Sequence, residues 1–310
     1  MLTAKMNVYD GNRRDSILLS IIFLNYNRIE ETRKTVQCLR NITGGRRDIE
    51  IVAIDNGSTD GTRQFLERQS DVLLISLPEN RGIGGYNEGF SQARGQYLLV
   101  LDDDSSPKDF DGIERAISLL DSRPEIGLVA FHIENPDGSP QKSWHLPEQA
   151  EAGQTPFFIG CGFMIRRRLF AAIGWYPANF FLYQNEIDVA FKLRLRNFEL
   201  YYHPECRVIH RGCPGRRPGW RRIFYPTRNT LLLIRQYYEG GQALYMAGSR
   251  LCIGLCRSIY FRNTTSFFQA AREGLTLPVK KTPLSRRIRK TCTPFFCQNS
   301  LWHQLIRKNE

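Results

Sequence analysis

Three consecutive aspartates, Asp102 to Asp104, follow directly on the apolar segment YLLVL at residues 97–101. An unbroken apolar run of this kind is typical of a strand buried on both faces of a parallel sheet. Ligands of open α/β sheets bind at the carboxyl ends of such strands. Because adjacent like charges repel and hard divalent cations take carboxylate oxygens, the triplet predicts a cation site. A helix-capping aspartate followed by a solvated turn is the alternative.

The elements that would position these aspartates alternate along the first hundred residues. Four apolar runs predict strands, at residues 18–24, 49–54, 72–76 and 97–101. Polar residues follow the first three strands: Asn25, Tyr26, Asp55, Asn80 and Arg81. We expect an α/β fold with a mostly parallel, doubly wound sheet flanked by helices, and a site along its carboxyl edge. No GxGxxG follows the first strand and no P-loop sequence occurs, so neither phosphate-binding fingerprint is present.

The rest of the chain continues this pattern and then changes character. Helices are predicted at residues 28–39, 109–122, 166–173, 185–197, 224–238 and 242–273. Further strands are predicted at residues 126–133, 157–165, 200–202 and 206–210, the second of them bent at its glycines. A long loop at residues 135–154 is expected to lie near the site. We divide the chain into a polar lead-in (1–16), a catalytic domain (17–213) and a basic helical C-terminal region (214–310).

Charge and cysteine content limit the classes of partner and compartment. The 310 residues carry 43 Lys and Arg against 31 Asp and Glu, a net charge of +12. Such a balance favours anionic partners: nucleic acid, nucleotide phosphates or an acidic membrane surface. The eight cysteines show neither CxxC pairs nor zinc-ligand spacing, which is typical of free thiols in a reducing compartment. The chain shows neither a signal-peptide core nor an apolar stretch of membrane-spanning length, and we expect a cytoplasmic protein.

Five segments occur together in a characteristic order: LNYNR, VAIDNGSTDGT, ENRGIGGYNEGFSQARGQYLLVLDDDSSP, FIGCGFMIRR and FFLYQNEIDVAFKLR. In order and spacing the set resembles the family 2 glycosyltransferases of GT-A fold. The chain is similar to the branch of bacterial rhamnosyltransferases and related polysaccharide enzymes. Any one segment is a weak signal, whereas the ordered set is strong and covers about residues 17–240.

The resemblance implies roles for the nucleotide-side loops. Asn25 and Tyr26 match the loop that cups the nucleotide base, and Asp55 matches the carboxylate that hydrogen-bonds the base. Asn80 and Arg81 match the loop beside the nucleotide, where Arg81 could also meet phosphate. For Asp55, a residue of a helix-entry turn is the alternative.

The resemblance also implies a metal site for Mg²⁺ or Mn²⁺. Asp102 matches the position near the ribose and the cation, and Asp104 matches the residue that coordinates the cation. Asp103 occupies the variable middle position of the triplet. It is a candidate for nucleotide-sugar binding, and the alternative is that it has no direct role in the site. His210 matches a third metal ligand in some relatives, against a purely structural histidine. A bound cation would stabilise the charge that grows on the pyrophosphate as the sugar leaves.

Acceptor activation is implied for the helix predicted at residues 185–197. Glu186 matches the family's general base, while Asn185 replaces an acid of the usual pattern, so Asp188 competes for that role. Ordinary first-turn acids favoured by the helix dipole are the alternative. Gly160 matches a segment whose backbone passes close to a bound sugar. Arg228 matches a residue that could contact phosphate, against a helix-surface charge.

Together these assignments predict an inverting, metal-dependent glycosyltransferase. Its donor would be a UDP- or dTDP-sugar, such as dTDP-rhamnose. Its acceptor would be a hydroxyl group of a glycan or a lipid-linked saccharide in cell-surface polysaccharide synthesis. A catalytically silent nucleotide-sugar-binding protein of the same fold is the rival, favoured by Asn185. The basic C-terminal region either contacts anionic membrane at the inner face of the plasma membrane or forms a lid on the catalytic domain. Nucleic-acid binding has no motif to support it.

Overall fold

The computed structural model of the protein describes residues 17–146, 151–212 and 219–306. The predicted lead-in, Cys213 and residues 214–218 of the basic linker lie outside the described residues. The strands are β1 (Leu19–Asn25), β2 (Ile49–Asp55), β3 (Val72–Ser76), β4 (Tyr97–Asp102), β5 (Ser105–Pro107), β6 (Ile126–Glu134), β7 (Gly153–Gln154), β8 (Gly162–Arg166) and β9 (Glu199–His210).

Helices flank these strands and build the C-terminal region. They are α1 (Ile29–Thr43), α2 (Thr62–Glu67), α3 (Tyr86–Gln92), α4 (Phe110–Ser122), α5 (Arg167–Ala172), α6 (Asn185–Leu195), α7 (Arg221–Tyr237), α8 (Gly240–Tyr260), α9 (Thr264–Thr276), α10 (Arg286–Thr291), α11 (Thr293–Gln298) and α12 (Leu301–Ile306). A short 3₁₀ helix covers Gly82–Gly85. No helix within the described ranges combines the length and apolar character needed to cross a bilayer.

The first half of the sheet confirms the predicted parallel arrangement. Its strand order is β3-β2-β1-β4, and each neighbouring pair is parallel. The register aligns Asn25 with Asp55 across β1 and β2, and Leu24 with Asp102 across β1 and β4. The polar residues that end these strands therefore meet along one edge, as the alternation predicted.

The second half of the sheet is mixed, and its registers build the acidic end of the site. β8 runs antiparallel to β4 and pairs Gly162 with Leu101. The turn before β8 is thereby placed beside Asp102. β5 runs antiparallel to β9 and pairs Ser105 with His210, which brings that histidine next to the aspartates.

Four predicted elements differ from the structure. Residues 200–202 and 206–210 belong to the single strand β9, whose register against β6 jumps from His203 to Arg207. Pro204 lies within this register shift. A bulge tolerates proline, because the missing N–H group is not needed there for pairing with the neighbouring strand. Of the strand predicted at residues 157–165, only residues 162–165 are extended, and they belong to β8 (Gly162–Arg166). The predicted helix at 242–273 is divided into α8 and α9, and Arg262 between them has a left-handed φ of 52°.

Apolar side chains cover both faces of the sheet. One core contains Val36 and Leu39 of α1 with Ile113 of α4. The opposite core contains residues of α3, α5 and α6, and it extends to Leu233 of α7 and Phe295 of α11. The helices α7 and α11 therefore bury apolar surface against the same core as the sheet.

Candidate active site

Asp104 and His210 form the acidic end of the site. His210 Nε2 lies 3.2 Å from Asp104 Oδ1. The other ring nitrogen, Nδ1, is 2.9 Å from Oε1 of Gln141, which belongs to the loop predicted to lie near the site. Burial alone would lower the pKa of His210, but the hydrogen bonds with Asp104 and Cys161 and the charge of Asp102 outweigh burial and raise that pKa to about 11. Contacts at both ring nitrogens therefore fix the orientation of the His210 imidazole.

Arg28, at the end of the first polar loop, contacts two of the three aspartates. Its Nη1 lies 2.8 Å from Asp103 Oδ1, and its Nη2 lies 2.8 Å from Asp104 Oδ2. Burial would raise the pKa of Asp104, but His210 and Arg28 outweigh burial and lower it to about 2. For Asp103, burial is the stronger effect and raises its pKa to about 8 against the opposing charge of Arg28. The sequence pattern did not single out Arg28 beyond its place in the LNYNR segment.

The donor atoms at this end fit a divalent cation. Ligand atoms of Asp102, Cys161 and His210 lie within 4.8 Å of one another. Carboxylate and imidazole ligands suit Mn²⁺. Of the three residues predicted to hold the metal, Asp102 and His210 belong to this group, whereas Asp104 contacts His210 and Arg28 and is not a member of it.

Two buried tyrosines connect the aspartates with α6. The hydroxyl of Tyr86 donates to the Leu101 carbonyl at 2.6 Å and lies 3.2 Å from Asp102 Oδ1. Burial raises the pKa of Tyr176 well above its usual value, and the charges of Glu186 and Asp102 add to that effect. Both carboxylates therefore lie close to one phenol. Sequence reasoning missed these tyrosines, because apolar packing also accounts for them.

Glu186 occupies the first turn of α6 and faces Gly160. A methyl group placed on the Gly160 Cα would lie 2.8 Å from Glu186 Oε1. The next residue, Cys161, is the one whose thiol lies beside Asp102 and His210. Gly160 thus lies against Glu186 and its neighbour Cys161 lies beside the metal-side residues, so a two-residue turn links Glu186 with the acidic end.

The nucleotide-side residues lie at the ends of β1 and β2. Asn25 is buried, donates from Nδ2 to the Ile54 carbonyl at 3.2 Å, and accepts from Thr32 Oγ1 at 2.7 Å. Asp55 is also buried, and Ser58 N lies 3.3 Å from its Oδ1. Tyr26 is 39% exposed, so its ring is accessible at the mouth of the site.

A hydrogen-bonded loop after β3 completes the nucleotide side. Asn56 Nδ2 donates to Asn80 Oδ1 at 3.1 Å, and Asn56 Oδ1 accepts from the Arg81 amide at 2.9 Å. Asn80 Oδ1 also accepts from the Gly82 amide at 2.8 Å. The Arg81 guanidinium is half exposed and lies 3.2 Å from Glu88 Oε1. Asn56 therefore organises the loop, and the two bonds that its Nδ2 donates require an amide rather than a carboxylate.

The segment before α6, which we call the 179–184 loop, joins the two sides of the cleft. The Phe181 carbonyl accepts from the Ile83 amide at 2.9 Å, next to the loop after β3. Tyr183 and Gln184 both have left-handed φ values, 67° and 69°. Non-glycine residues adopt this conformation at a cost of roughly 1–2 kcal/mol each. The loop that leads into Glu186 is therefore strained and needs contacts from outside itself.

Asn229 and Arg228 of α7 supply those contacts. Asn229 Nδ2 donates to the Leu182 and Tyr183 carbonyls at 2.9 and 3.0 Å. Arg228 Nη2 donates to the Asn179 carbonyl at 3.0 Å, and its Nε lies 2.9 Å from Glu273 Oε2. Arg228 is 9% exposed, so it is neither a helix-surface charge nor directed at solvent. The structure assigns its contacts to the loop and to α9.

Asp188 points away from Glu186 into the protein. It is 2% exposed, accepts from the Tyr237 hydroxyl at 2.7 Å, and lies 2.6 Å from Lys192 Nζ. The bond with Tyr237 joins α6 to α7, and the ion pair with Lys192 lies within α6. Of the two acids considered for acceptor activation, Glu186 alone lies against the Gly160 turn.

The chain is similar to known glycosyltransferases in sequence. A profile described as "Glycosyl transferase family 2" matches residues 20–174, half of the chain. Glycosyltransferase AglE of Haloferax volcanii is 31% identical over 121 residues, covering 37% of this chain and 39% of that protein. The N-acetylglucosaminyl-diphospho-decaprenol L-rhamnosyltransferase of Mycobacterium tuberculosis is 24% identical over 219 residues, covering 56% of this chain and 70% of that protein. The chain spans about two fifths of the length of the relatives that it matches at 31% identity.

Solved structures share the fold. The crystal structure of GalNAc-T7 with UDP, GalNAc and Mn²⁺ superimposes with a TM-score of 0.62 at 16% identity, covering 84% of this chain and 57% of that one. At this identity the similarity shows the fold alone, which is the fold expected from the sequence segments.

Proposed function

Since the chain belongs to glycosyltransferase family 2 and has the GT-A fold, we propose that it transfers a sugar from a nucleoside-diphosphate donor to an acceptor hydroxyl. The observation that carries the proposal is the turn at Gly160 and Cys161. It lies against Glu186 on one side and beside Asp102 and His210 on the other. Transfer needs both a group that balances charge on the leaving diphosphate and a base for the acceptor.

The donor would lie along the carboxyl ends of β1, β2 and β4. Asn25 and Asp55 are fixed by backbone partners and hold the base, with Tyr26 at the mouth of the site. Asn80 and Arg81 lie beside the nucleotide on the loop that Asn56 organises. A uracil or thymine donor, including dTDP-rhamnose, fits the relatives on which the resemblance is based.

The acceptor would enter on the side of Glu186. Its carboxylate takes the proton from the incoming hydroxyl, whose oxygen attacks the anomeric carbon opposite the diphosphate and inverts it. Glycine at position 160 leaves room for the Glu186 carboxylate, whose Oε1 would lie 2.8 Å from a Cβ there. A cation held by Asp102, Asp104 and His210 would supply positive charge for the leaving diphosphate.

A glycan or lipid-linked acceptor in cell-surface polysaccharide synthesis is supported by two observations. The relative from Mycobacterium tuberculosis is named for a lipid diphosphate acceptor. The C-terminal region also exposes large apolar side chains, among them Leu244 (76%), Trp302 (66%) and Leu305 (57%). With Tyr245 and Leu301 they line one shallow apolar depression between α8 and α12.

Charge complements this apolar surface. Six of the eleven residues 280–290 are Lys or Arg, and Arg289 of α10 donates to Gln242 of α8 at 2.9 Å. Basic side chains beside exposed aromatics fit an anionic membrane interface. We therefore include peripheral contact with anionic membrane in the proposal. Sedimentation with phosphatidylglycerol vesicles, but not with phosphatidylcholine vesicles, would support it, and equal binding to both would contradict the charge argument.

Donor binding and turnover test the main proposal together. UDP-, dTDP- and GDP-sugars should be screened by thermal shift with Mn²⁺ or chelator, since a donor at 100 times its Kd stabilises the fold by about 2.7 kcal/mol. Asp104→Asn should abolish the cation-dependent shift, whereas Asp137→Asn, in an exposed turn, should leave it unchanged. Donor binding without any turnover would favour the silent binding protein, and turnover insensitive to chelation would contradict the metal role.

A further inference from the structure

The buried thiol of Cys161 has no part in the transfer described above. Its side chain is 3% exposed, and its position is fixed by neighbours on both sides. The pairing of Gly162 with Leu101 places it beside the end of β4. Ser105 Oγ donates to the Cys161 carbonyl at 2.9 Å and accepts from the Asp102 amide at 2.8 Å. One hydroxyl thus ties the backbone of Cys161 to that of Asp102.

The atoms around this thiol are metal ligands of three different kinds. Sγ of Cys161, a carboxylate oxygen of Asp102 and a ring nitrogen of His210 lie within 4.8 Å of one another. Gln141 Oε1 lies 2.9 Å from His210 Nδ1, the second-sphere arrangement that directs Nε2 toward a metal. In the part of the chain that the structure describes, this is the one such group of three.

We infer that Cys161 is a sulfur ligand of the divalent cation, alongside Asp102 and His210, and that the site accepts Zn²⁺ and Co²⁺ in addition to Mn²⁺. The inference rests on the proposed function, because it concerns the same cation site. On binding, the metal–sulfur bond replaces the S–H bond, and the proton passes to solvent. Thiolate and imidazole ligands favour Zn²⁺ and its neighbours, whereas carboxylates alone favour Mg²⁺ and Mn²⁺.

A thiol buried for packing alone is the competing interpretation, because free cysteine often behaves as a small apolar residue. Cys206 of β9 provides the comparison within this chain. It is fully buried among apolar residues of the same core, and it is absent from the ligand group. Both cysteines are therefore buried, but only Cys161 has potential metal ligands as neighbours.

The test uses Co²⁺ alone, with the full chain and no donor, and records the near-ultraviolet sulfur-to-cobalt charge-transfer band. Cys252 and Cys256 are exposed one turn apart on α8 and would bind cobalt themselves. Cys213 follows His210 by three residues and lies outside the described residues. The parent protein for the comparison therefore carries serine at these three positions.

The parent should show the band at one equivalent of Co²⁺, Cys161→Ser should abolish it, and Cys206→Ser should retain it. Absence of the band in the parent, or its persistence in folded Cys161→Ser, would overturn the inference. Should Cys161→Ser fail to fold, X-ray absorption of the Zn²⁺-loaded parent decides. A sulfur neighbour at about 2.3 Å supports the inference, and a shell of oxygen and nitrogen alone overturns it. None of these readouts depends on sugar transfer, so failure of the proposed function is recognised separately in the turnover assay.

Discussion

Replacing Asn229 by alanine removes two of the hydrogen bonds that hold the 179–184 loop against α7, those from Nδ2 to the Leu182 and Tyr183 carbonyls at 2.9 and 3.0 Å. The bond from Arg228 Nη2 to the Asn179 carbonyl remains, although Arg228 Nη1 loses Asn229 Oδ1 as its acceptor. Tyr183 and Gln184 would keep their left-handed φ values only through the remaining contacts. Because Glu186 follows this loop directly, its carboxylate should leave the position beside Gly160 for part of the time.

The size of the effect follows from the bonds removed. A hydrogen bond of this kind contributes roughly 0.5–1.5 kcal/mol net, so the pair contributes about 1–3 kcal/mol. At about 1.4 kcal/mol for each factor of ten, the ordered conformation should lose roughly 5- to 150-fold in relative population. The turnover number kcat follows the fraction of ordered loop and should therefore fall by up to that factor. Donor binding should change less, because the nucleotide-side residues are held by Asn56 rather than Asn229.

The assay combines single-turnover transfer with hydrogen exchange of residues 179–184. Faster exchange and reduced kcat are expected together in Asn229→Ala. Asn41→Ala, at an exposed position on α1, is the matched control and should change neither. Gln184→Gly in the Asn229→Ala background should recover part of kcat, since glycine adopts a left-handed φ without steric cost. Wild-type kcat with unchanged exchange in Asn229→Ala would refute the reasoning.

Substitutions at three further positions probe separate parts of the account. Asp188→Ala should lower the free energy of unfolding by about 3 kcal/mol in urea denaturation, since it strands the buried Tyr237 hydroxyl. Asp188→Asn should keep normal kcat per folded molecule, and a loss like that of a missing base would contradict its structural role. Gly82→Ala places a methyl group 2.0 Å from the Phe181 carbonyl oxygen at a φ of +57°. Its thermal midpoint should fall well below that of Gly138→Ala, where nothing lies within 4 Å, and equal midpoints would contradict the packing. Burial would raise the pKa of Glu50, but hydrogen bonds from Ser20 and Arg94 outweigh burial and lower it. Its contribution to stability is therefore present above the ordinary glutamate pKa of 4.5 and is lost as the pH falls, so Glu50→Gln should flatten the acid side of the stability–pH curve. An unchanged slope would contradict this sign.

The sequence pattern predicted the nucleotide-side half of the fold well because the information there is local. Each strand of the parallel half is an apolar run followed by polar residues, and a parallel sheet gathers such residues at one edge. Asp102 at the end of β4 and Glu186 in the first turn of α6 therefore lie in the elements expected for them.

Pairing between distant segments could not be predicted in the same way. His210 reaches Asp104 because β9 pairs with β5, and Cys161 reaches Asp102 because β8 is antiparallel to β4. Neither register leaves a local signal in the sequence. The bulge at Pro204 likewise depends on β6, so two short strands were predicted where one continuous strand forms.

The sequence also did not predict which polar side chains are buried and which residues they contact. Both alternatives considered for Arg228 assumed an accessible side chain, whereas it is buried against Asn179 and Glu273. Asp188 shares a helical turn with Glu186 in the sequence, yet it faces Lys192 and Tyr237 in the structure. Helical spacing alone does not show which side of α6 meets α7, and that orientation decides which acid faces the cleft.

The central claim is that Glu186 takes the proton of the acceptor hydroxyl in the cleft that also binds the donor. Glu186→Gln preserves the shape of the side chain and removes its basicity. With the donor identified by thermal shift, the variant should bind that donor with unchanged affinity and lose transfer by at least about 100-fold, the lower end of general-base contributions. Transfer at the wild-type rate by Glu186→Gln, with donor affinity unchanged, would contradict the account.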